Sequence, residues 1–496
     1  MRRWILLGML LVLGIAPVDG VAAQSNVLDG LPPCNFAEGA DVPALEVGAL
    51  VLNLQTGAGC ADNLDTLYPV ASVPKIFVLG AYLELVMTGQ SDYGRQVEFT
   101  DRYLMGGSND CLSDADLGTR VSRGMLSELM IACSDNAATW MLMDTIGWDT
   151  VQRHVAATGI DDVGEVIPYA EVDRLKLALI DPRWNDVPRQ YASRYLRRRD
   201  TTGLSQYFST LPEYTREQMR GAARQYFEIY DYNTATPRAI AEYILKMRDD
   251  LLANESPRTD VAKAFFNTMM LTQRQFTAQS LPGTVYTGSK NGFDTGLRAE
   301  VSFTLNTLDN LNRDPESLII VFAHQTDFSA GALQTPGQDE GPINRWMRAL
   351  SADVAAVLYG EVDTPEMVDD PRVTTVRLQE SSVVNACFSP YFVSGFDEAR
   401  VSDFESCLLN AGERTGYALD DRVALGMVLR GVNREELRIT LVYTRPDGTL
   451  RSYQTESFFQ RDVGVNWFHP VDMRGAWTLD VYINLERVAT RRFTVG

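Results

Sequence analysis

The sequence predicts an α+β domain followed by a small all-β, sandwich-like domain, and three observations carry that reading. Strand-like runs at residues 46–55, 283–289, 298–303 and 318–322 bracket segments whose apolar residues recur at helical spacing. An acidic stretch with two prolines, residues 361–371, then interrupts the pattern and reads as a linker. From residue 373 onward short β-type runs dominate, separated by turn signals such as Pro446-Asp447-Gly448.

The chain has 496 residues, 45% of them apolar, enough for two or three domains with cores of their own. It opens on Arg2-Arg3, an apolar stretch at 4–15 and small residues at Val21-Ala22-Ala23, the layout of a secretory signal peptide spanning residues 1–23. A retained membrane anchor is the alternative. No later stretch reaches the roughly 20 apolar residues that span a bilayer. The mature protein is therefore expected to be secreted, periplasmic or otherwise extracytoplasmic.

A net charge of −20 opposes phosphate backbones and anionic lipid, so neither nucleic acid nor a membrane surface is an expected partner. Six cysteines fall into three neighbouring pairs, Cys34 with Cys60, Cys111 with Cys133 and Cys387 with Cys407, although spacing does not fix connectivity. None has C-x-x-C spacing. The three histidines, His154, His324 and His469, lack any ligand spacing, which argues against a zinc site and against a Ser-His-Asp triad. No metal or cofactor is expected.

In chain order, residues 24–45 read as an extended lead-in and 46–55 as a strand covered on both faces. A turn at 56–59 follows, and a buried helix begins near Ser72. A loop at 106–109 leads to a helical run at 125–133, and a second helix at 137–147 ends on glycine. Residues 175–232 form a long charged and aromatic insertion that includes Arg197-Arg198-Arg199. Helices at 237–252, with proline in the first turn, and at 262–272 precede the strands at 283–303 and 318–322. A last helix at 343–358 closes the first domain. In the C-terminal domain Trp477, Phe458 and Phe468 read as core, with cell-wall glycan contact as the alternative.

The chemistry centres on Ser72-Val73-Pro74-Lys75, where a hydroxyl and an amine three residues apart share one side of a helical turn. There the amine can take the hydroxyl's proton, which a serine nucleophile requires. Two later stretches follow in order, Ser134-Asp135-Asn136 and Lys290-Asn291-Gly292. This ordered set resembles the S-x-x-K, S-D-N and K-T-G motifs of the class A β-lactamase and penicillin-binding protein superfamily, with Asn291 in place of threonine. The resemblance extends over residues 40 to 360, through the helix start Thr234-Ala235-Thr236-Pro237 and the strands after Lys290.

That resemblance implies an antiparallel sheet flanked by helices plus an all-helical subdomain, and it implies roles. Ser72 would attack a carbonyl, Lys75 would accept its proton, Ser134 would relay a proton to the leaving nitrogen and Asn136 would hold Lys75. Lys290 would add positive charge. Asn291, Gly292, Phe293 and Arg298 would contact substrate, Phe293 through its backbone N–H beside that of Ser72 in an oxyanion hole. Active class A enzymes also carry here a short loop with a glutamate that orients the deacylating water. Glu171, lacking the usual neighbouring asparagine, is the candidate, with Glu165 nearby.

Three functions follow as alternatives. The first is a β-lactam-opening hydrolase with slow deacylation, and the second a D,D-carboxypeptidase acting on peptidoglycan peptides. The third is a non-hydrolytic module that binds wall peptide or β-lactam.

Overall fold

The computed structural model describes residues 27–105, 111–254, 257–272, 276–278, 281, 286–305, 314–328, 333, 341–360, 367–380, 383, 387, 398–419, 421–432, 435–446, 450–459, 463–471, 473–484 and 486–496. The signal-peptide stretch, the loop at 106–109 and the side chains of Phe458 and Phe468 lie outside the described residues.

Five antiparallel strands form the principal sheet, in the order Gly59–Asp62, Leu45–Asn53, Ser317–Gln325, Leu297–Leu305, Tyr286–Asp294. The near-continuous apolar character of Leu45–Asn53 has a simple cause. Leu50 and Leu52 face the cluster that contains the helix Lys75–Met87, and Val47, Ala49 and Val51 face the helix Pro342–Tyr359 on the other side. Both faces are covered. Tyr286–Asp294, by contrast, lies at the sheet's edge, with a neighbour on one side only among the described residues.

The helix Lys75–Met87 is buried over nine consecutive residues, Lys75 to Leu83, as a helix apolar all round must be. Its neighbours approach closely at Gly80, where an added Cβ would lie 1.9 Å from Tyr243 Oη and 2.7 Å from His154 Nε2. His154 is bonded there to Glu84 (2.8 Å) and Tyr243 (2.9 Å), a structural histidine. The three cysteine pairs are joined as neighbours, Cys34–Cys60, Cys111–Cys133 and Cys387–Cys407.

Two differences from the sequence reading stand out. The stretch carrying Glu171 is no loop but the first turn of a helix, Tyr169–Ile180, whose Ala170, Val172, Leu175 and Leu177 are buried. Apolar spacing at 170–177 held that signal. The insertion adds the helices Arg189–Arg198 and Arg216–Ile229 and a small core of its own, where Trp184 packs 5.1 Å from Tyr195 and 4.9 Å from Phe208 between ring centres.

The C-terminal part contains a three-stranded and a five-stranded sheet enclosing a core of Leu378, Leu425, Met427, Leu441, Trp477 and Leu479. Trp477 is buried and stacked on Phe493. The second difference is here: the region is not all β. A helix, Glu398–Ala411, packs Phe404 and Leu408 against Ala424 and Val428, outside the main core. Gly426 lets it approach, since a Cβ there would meet the Leu408 methyls at 2.8 Å. No helix among the described residues is long and apolar enough to cross a membrane.

Candidate active site

Ser72 sits in a tight turn rather than in the helix proper. Bonds from Val73 N to Val70 O (3.0 Å), Lys75 N to Ser72 O (3.3 Å) and Ile76 N to Val73 O (3.0 Å) lead from it into the helix beginning at Lys75. Pro74 fits because the first turn needs no N–H from it. The preceding Ala71 has φ 49°, a left-handed conformation that costs a non-glycine residue about 1 kcal/mol. The turn is held in place by Val70 N bonding Asn233 O at 3.0 Å. Ser72 and Lys75 are both nearly buried, 8% and 5% exposed.

Ser134 links the helices Arg123–Ala132 and Asn136–Ile146 and is itself left-handed, φ 56°. Asp135 explains how that corner is fixed. One carboxylate oxygen caps the second helix by accepting from Ala138 N (2.7 Å), and the other accepts from Leu112 N (2.8 Å), next to the Cys111–Cys133 bridge. Three oxygens of the corner then converge on Lys75. Its Nζ donates to Ser134 O (2.5 Å) and Asn136 Oδ1 (2.8 Å) and lies 3.3 Å from Ser134 Oγ.

Lys290 arrives from the edge strand, with Nζ donating to Ser134 Oγ (2.8 Å) and Asn291 O (2.6 Å). Strand alternation sets Lys290, Gly292 and Asp294 on one face, opposite Val301, Ala299 and Leu297. Gly292 must be a glycine. A Cβ there would lie 2.3 Å from Val70 O and 2.8 Å from Ser72 N, so only a bare backbone brings this strand against the Ser72 turn. Complete burial, and then the charge of Lys75, hold the Lys290 ammonium well below its ordinary pKa. Two amines thus address one hydroxyl, that of Ser134.

The other predicted residues lie elsewhere. Asn291 and Phe293 occupy the opposite strand face, paired with Glu300 and Arg298. Arg298 is buried, with its guanidinium 4.5 Å from the Phe293 ring centre and its Nε bonded to Asn344 Oδ1. Glu171 accepts from Arg174 Nε (3.0 Å) and Nη2 (2.5 Å) and lies 3.5 Å from Arg189 Nε. Glu165 is exposed.

A cavity of about 10 Å³, the space of roughly one water, adjoins Lys75 behind the Ser72 turn. Lys75, Thr139, Ile167, Tyr169 and Asn233 are among the residues lining it, and no Asp or Glu among the described residues lines it. Asn233 clamps the Ile167 backbone from both sides, accepting from its N–H (3.1 Å) and donating to its carbonyl (3.0 Å).

Sequence reasoning gave Asp135 no role of its own and missed Tyr169, Lys176 and Asp294 as parts of this region. Asp135 carried a readable signal, an Asp immediately before a helix. Lys176 and Asp294, which are bonded, are 118 positions apart, and no local pattern links them. Among the described residues, no group of three or more His, Cys, Asp or Glu is placed to hold a metal ion.

Solved structures similar to this chain include a β-lactamase from Francisella tularensis, 15% identical with TM-score 0.43, covering 64% of this chain and 96% of that one. Another is a β-lactamase from Burkholderia phymatum, 14% identical with TM-score 0.45, covering 65% and 97%. A third is a point mutant of PBP-A in an acyl-enzyme complex with penicillin G, 15% identical with TM-score 0.41, covering 67% and 96%. No curated protein matches. The model of the β-lactamase enzyme family matches residues 37–306, more than half of the sequence, and the chain belongs to that family.

Proposed function

We propose that the protein is a serine acyl-transfer hydrolase that opens β-lactam rings through an acyl-enzyme on Ser72 and releases the product slowly. One observation carries the reading: Lys75 and Lys290 both reach the Ser134 hydroxyl beside the Ser72 turn. In this assignment Lys75 accepts the Ser72 proton as Oγ attacks the ring carbonyl. Ser134 then delivers a proton to the departing nitrogen, and Lys290 supplies it with a positively charged or proton-sharing neighbour. Asn136 keeps Lys75 in place. The backbone N–H groups of Ser72 and Phe293 receive the developing oxyanion, and Gly292 contributes to the substrate side, whereas the Asn291 and Arg298 side chains take the opposite strand face.

A specific observation favours slow release. Hydrolysis of the ester needs a base beside a water, and general-base assistance is worth about 10² to 10⁴ in rate. The cavity adjoining Lys75 has no carboxylate in its lining, and Glu171 is occupied by two arginines. The same observation keeps the D,D-carboxypeptidase as the second reading, since both enzymes acylate with the same residues and differ in how the ester leaves. We also read residues 1–23 as a signal peptide, residues 24–45 as a lead-in and residues 46–360 as the hydrolase domain. On this reading residues 361–372 are a linker and residues 373–496 an accessory domain acting outside the cytoplasm, where wall contact would occur.

The test is a chromogenic cephalosporin with stopped-flow detection and intact-mass analysis. A burst of about one equivalent followed by a weak steady rate, with a covalent adduct, is the expected result. Turnover without an adduct would overturn the covalent mechanism.

A further inference from the structure

The helix Tyr169–Ile180 carries Tyr169, Asp173 and Lys176 at successive spacings of four and three, so the three share one face. That face meets the end of the edge strand. Tyr169 Oη donates to Asp294 Oδ2 at 2.8 Å, and Lys176 Nζ donates to the same oxygen. The other oxygen of Asp294 accepts from Thr295 N at 2.7 Å. Both charged side chains are interior, Lys176 7% and Asp294 8% exposed.

Further groups brace this contact. Lys176 Nζ lies 5.4 and 5.3 Å from the ring centres of Tyr226 and Phe227. Asp173 accepts from Ser193 Oγ (2.7 Å) and Arg197 Nε (2.6 Å), and the Arg197 guanidinium covers the Tyr169 ring at 5.3 Å. Burial works to raise the Asp294 carboxyl, but Lys176 and its hydrogen bonds outweigh it and hold the group below its usual range.

Asp294 lies on the same strand face as Lys290 and Gly292, and two residues beyond Gly292. An edge strand has half the usual ladder to keep its end in place. We propose that Asp294, gripped by Lys176 and Tyr169, is a positioning residue of the acylation site. Through it the insertion clamps the end of the edge strand and fixes the Gly292 and Phe293 backbone against the Ser72 turn. This deepens the acyl-transfer reading and rests on it. The insertion then belongs to the active site, although it touches no reacting atom.

Hydrogen exchange and penicillin acylation of the full chain test the proposal together. Lys176→Met strands the Asp294 charge, whereas Lys176→Arg keeps a cation in the same place. In Lys176→Met the amides of residues 290–294 should exchange about tenfold faster while those of the helix Lys75–Met87 keep the wild-type rate. The limiting acylation rate should fall about 30-fold, with the half-saturating penicillin concentration unchanged within about threefold. Lys176→Arg should recover most of the rate. If Lys176→Met does not fold, Asp294→Asn, which removes the charge but keeps an acceptor for Tyr169, should give the same selective pattern.

Unchanged exchange at 290–294, or acylation that falls only in step with global exchange, would overturn the positioning role. A wild type that penicillin does not acylate would instead fail the acyl-transfer reading, and the exchange arm would still decide whether the tether exists.

Discussion

The two sides of Lys75 differ sharply in what surrounds them. Toward Ser134 the amine meets three oxygens within 3.3 Å, and a second buried amine, Lys290, reaches the same hydroxyl. Toward residues 166–169 the lysine borders a space for about one water, lined in part by Ile167 and, among the described residues, by no carboxylate. On the proposed reading this first side moves protons, and its donors and acceptors are fixed by the left-handed backbone at Ala71 and Ser134 and by the Asp135 cap. The other has room for a water but, among the described residues, no carboxylate beside it to act as a base. The contrast suggests that acylation and release are separable properties, set by different segments of chain.

The largest effect expected is at the nucleophile. Ser72→Ala should abolish the covalent adduct seen by intact mass after incubation with penicillin, and an unchanged adduct would place the chemistry elsewhere. Next, Lys75→Met keeps the apolar stem and length but removes the proton acceptor. It should slow acylation by about 10² to 10⁴, measured as the burst rate with a chromogenic cephalosporin. A loss below tenfold would assign the base to Lys290 or to water.

Much of the Ser134 side of Lys75 was legible in the sequence, and most of the other side was not. Ser72, Lys75, Ser134, Asn136 and Lys290 announce themselves because each sits at a fixed offset within a short motif, and the apolar runs around them predict strands and helices. Gly292 could be read as a glycine but not as the point where a strand touches the Ser72 turn, since that contact joins segments about 220 residues apart in sequence. Glu171 could be read as a carboxylate but not as the partner of Arg174 and Arg189, which reach it only once the helix is formed. The helix Glu398–Ala411 was hidden among strand-rich segments whose patterns dominate that region.

The side of Lys75 toward residues 166–169 can be altered directly. Because Asn233 holds the Ile167 backbone from both sides, its side chain can be exchanged without releasing the loop. Ile167→Glu would put a carboxylate at the wall of the water-sized cavity, beside Lys75. The steady rate should rise about tenfold or more while the burst rate stays within about threefold. If both rates change together, release and acylation are not separable as the contrast suggests.

A comparable buried carboxylate behind the edge strand gives a pH test of stability. Glu300 is completely buried, bonded to Thr277 N (3.0 Å) and Ser302 Oγ (3.0 Å), and burial raises its pKa to about 7 from an ordinary 4.5. The native state therefore holds a proton that the unfolded chain has released between those values. Stability from this group is present below about pH 4.5 and lost as pH rises through about 7, amounting to about 3 kcal/mol. Denaturant unfolding of Glu300→Gln should show that slope removed. A slope identical to that of the wild type would mean the carboxyl ionises in the native state as freely as in water.

The smallest effect expected concerns Glu171, and it sharpens the comparison most. Two arginines occupy its carboxylate, and it is not among the residues lining the cavity beside Lys75. Any turn of its side chain toward a water at the Ser72 ester would cost it the contacts with Arg174 and Arg189. Loss of such a partly buried pair costs more than a loose surface contact, so the rearrangement opposes catalysis instead of assisting it. Glu171→Gln should therefore leave the steady cephalosporin rate within about threefold of wild type, with the burst unaffected. A drop of about a hundredfold confined to the steady phase would show that the helix Tyr169–Ile180 rearranges once Ser72 is acylated, and the division between the two sides of Lys75 would hold only before substrate binds.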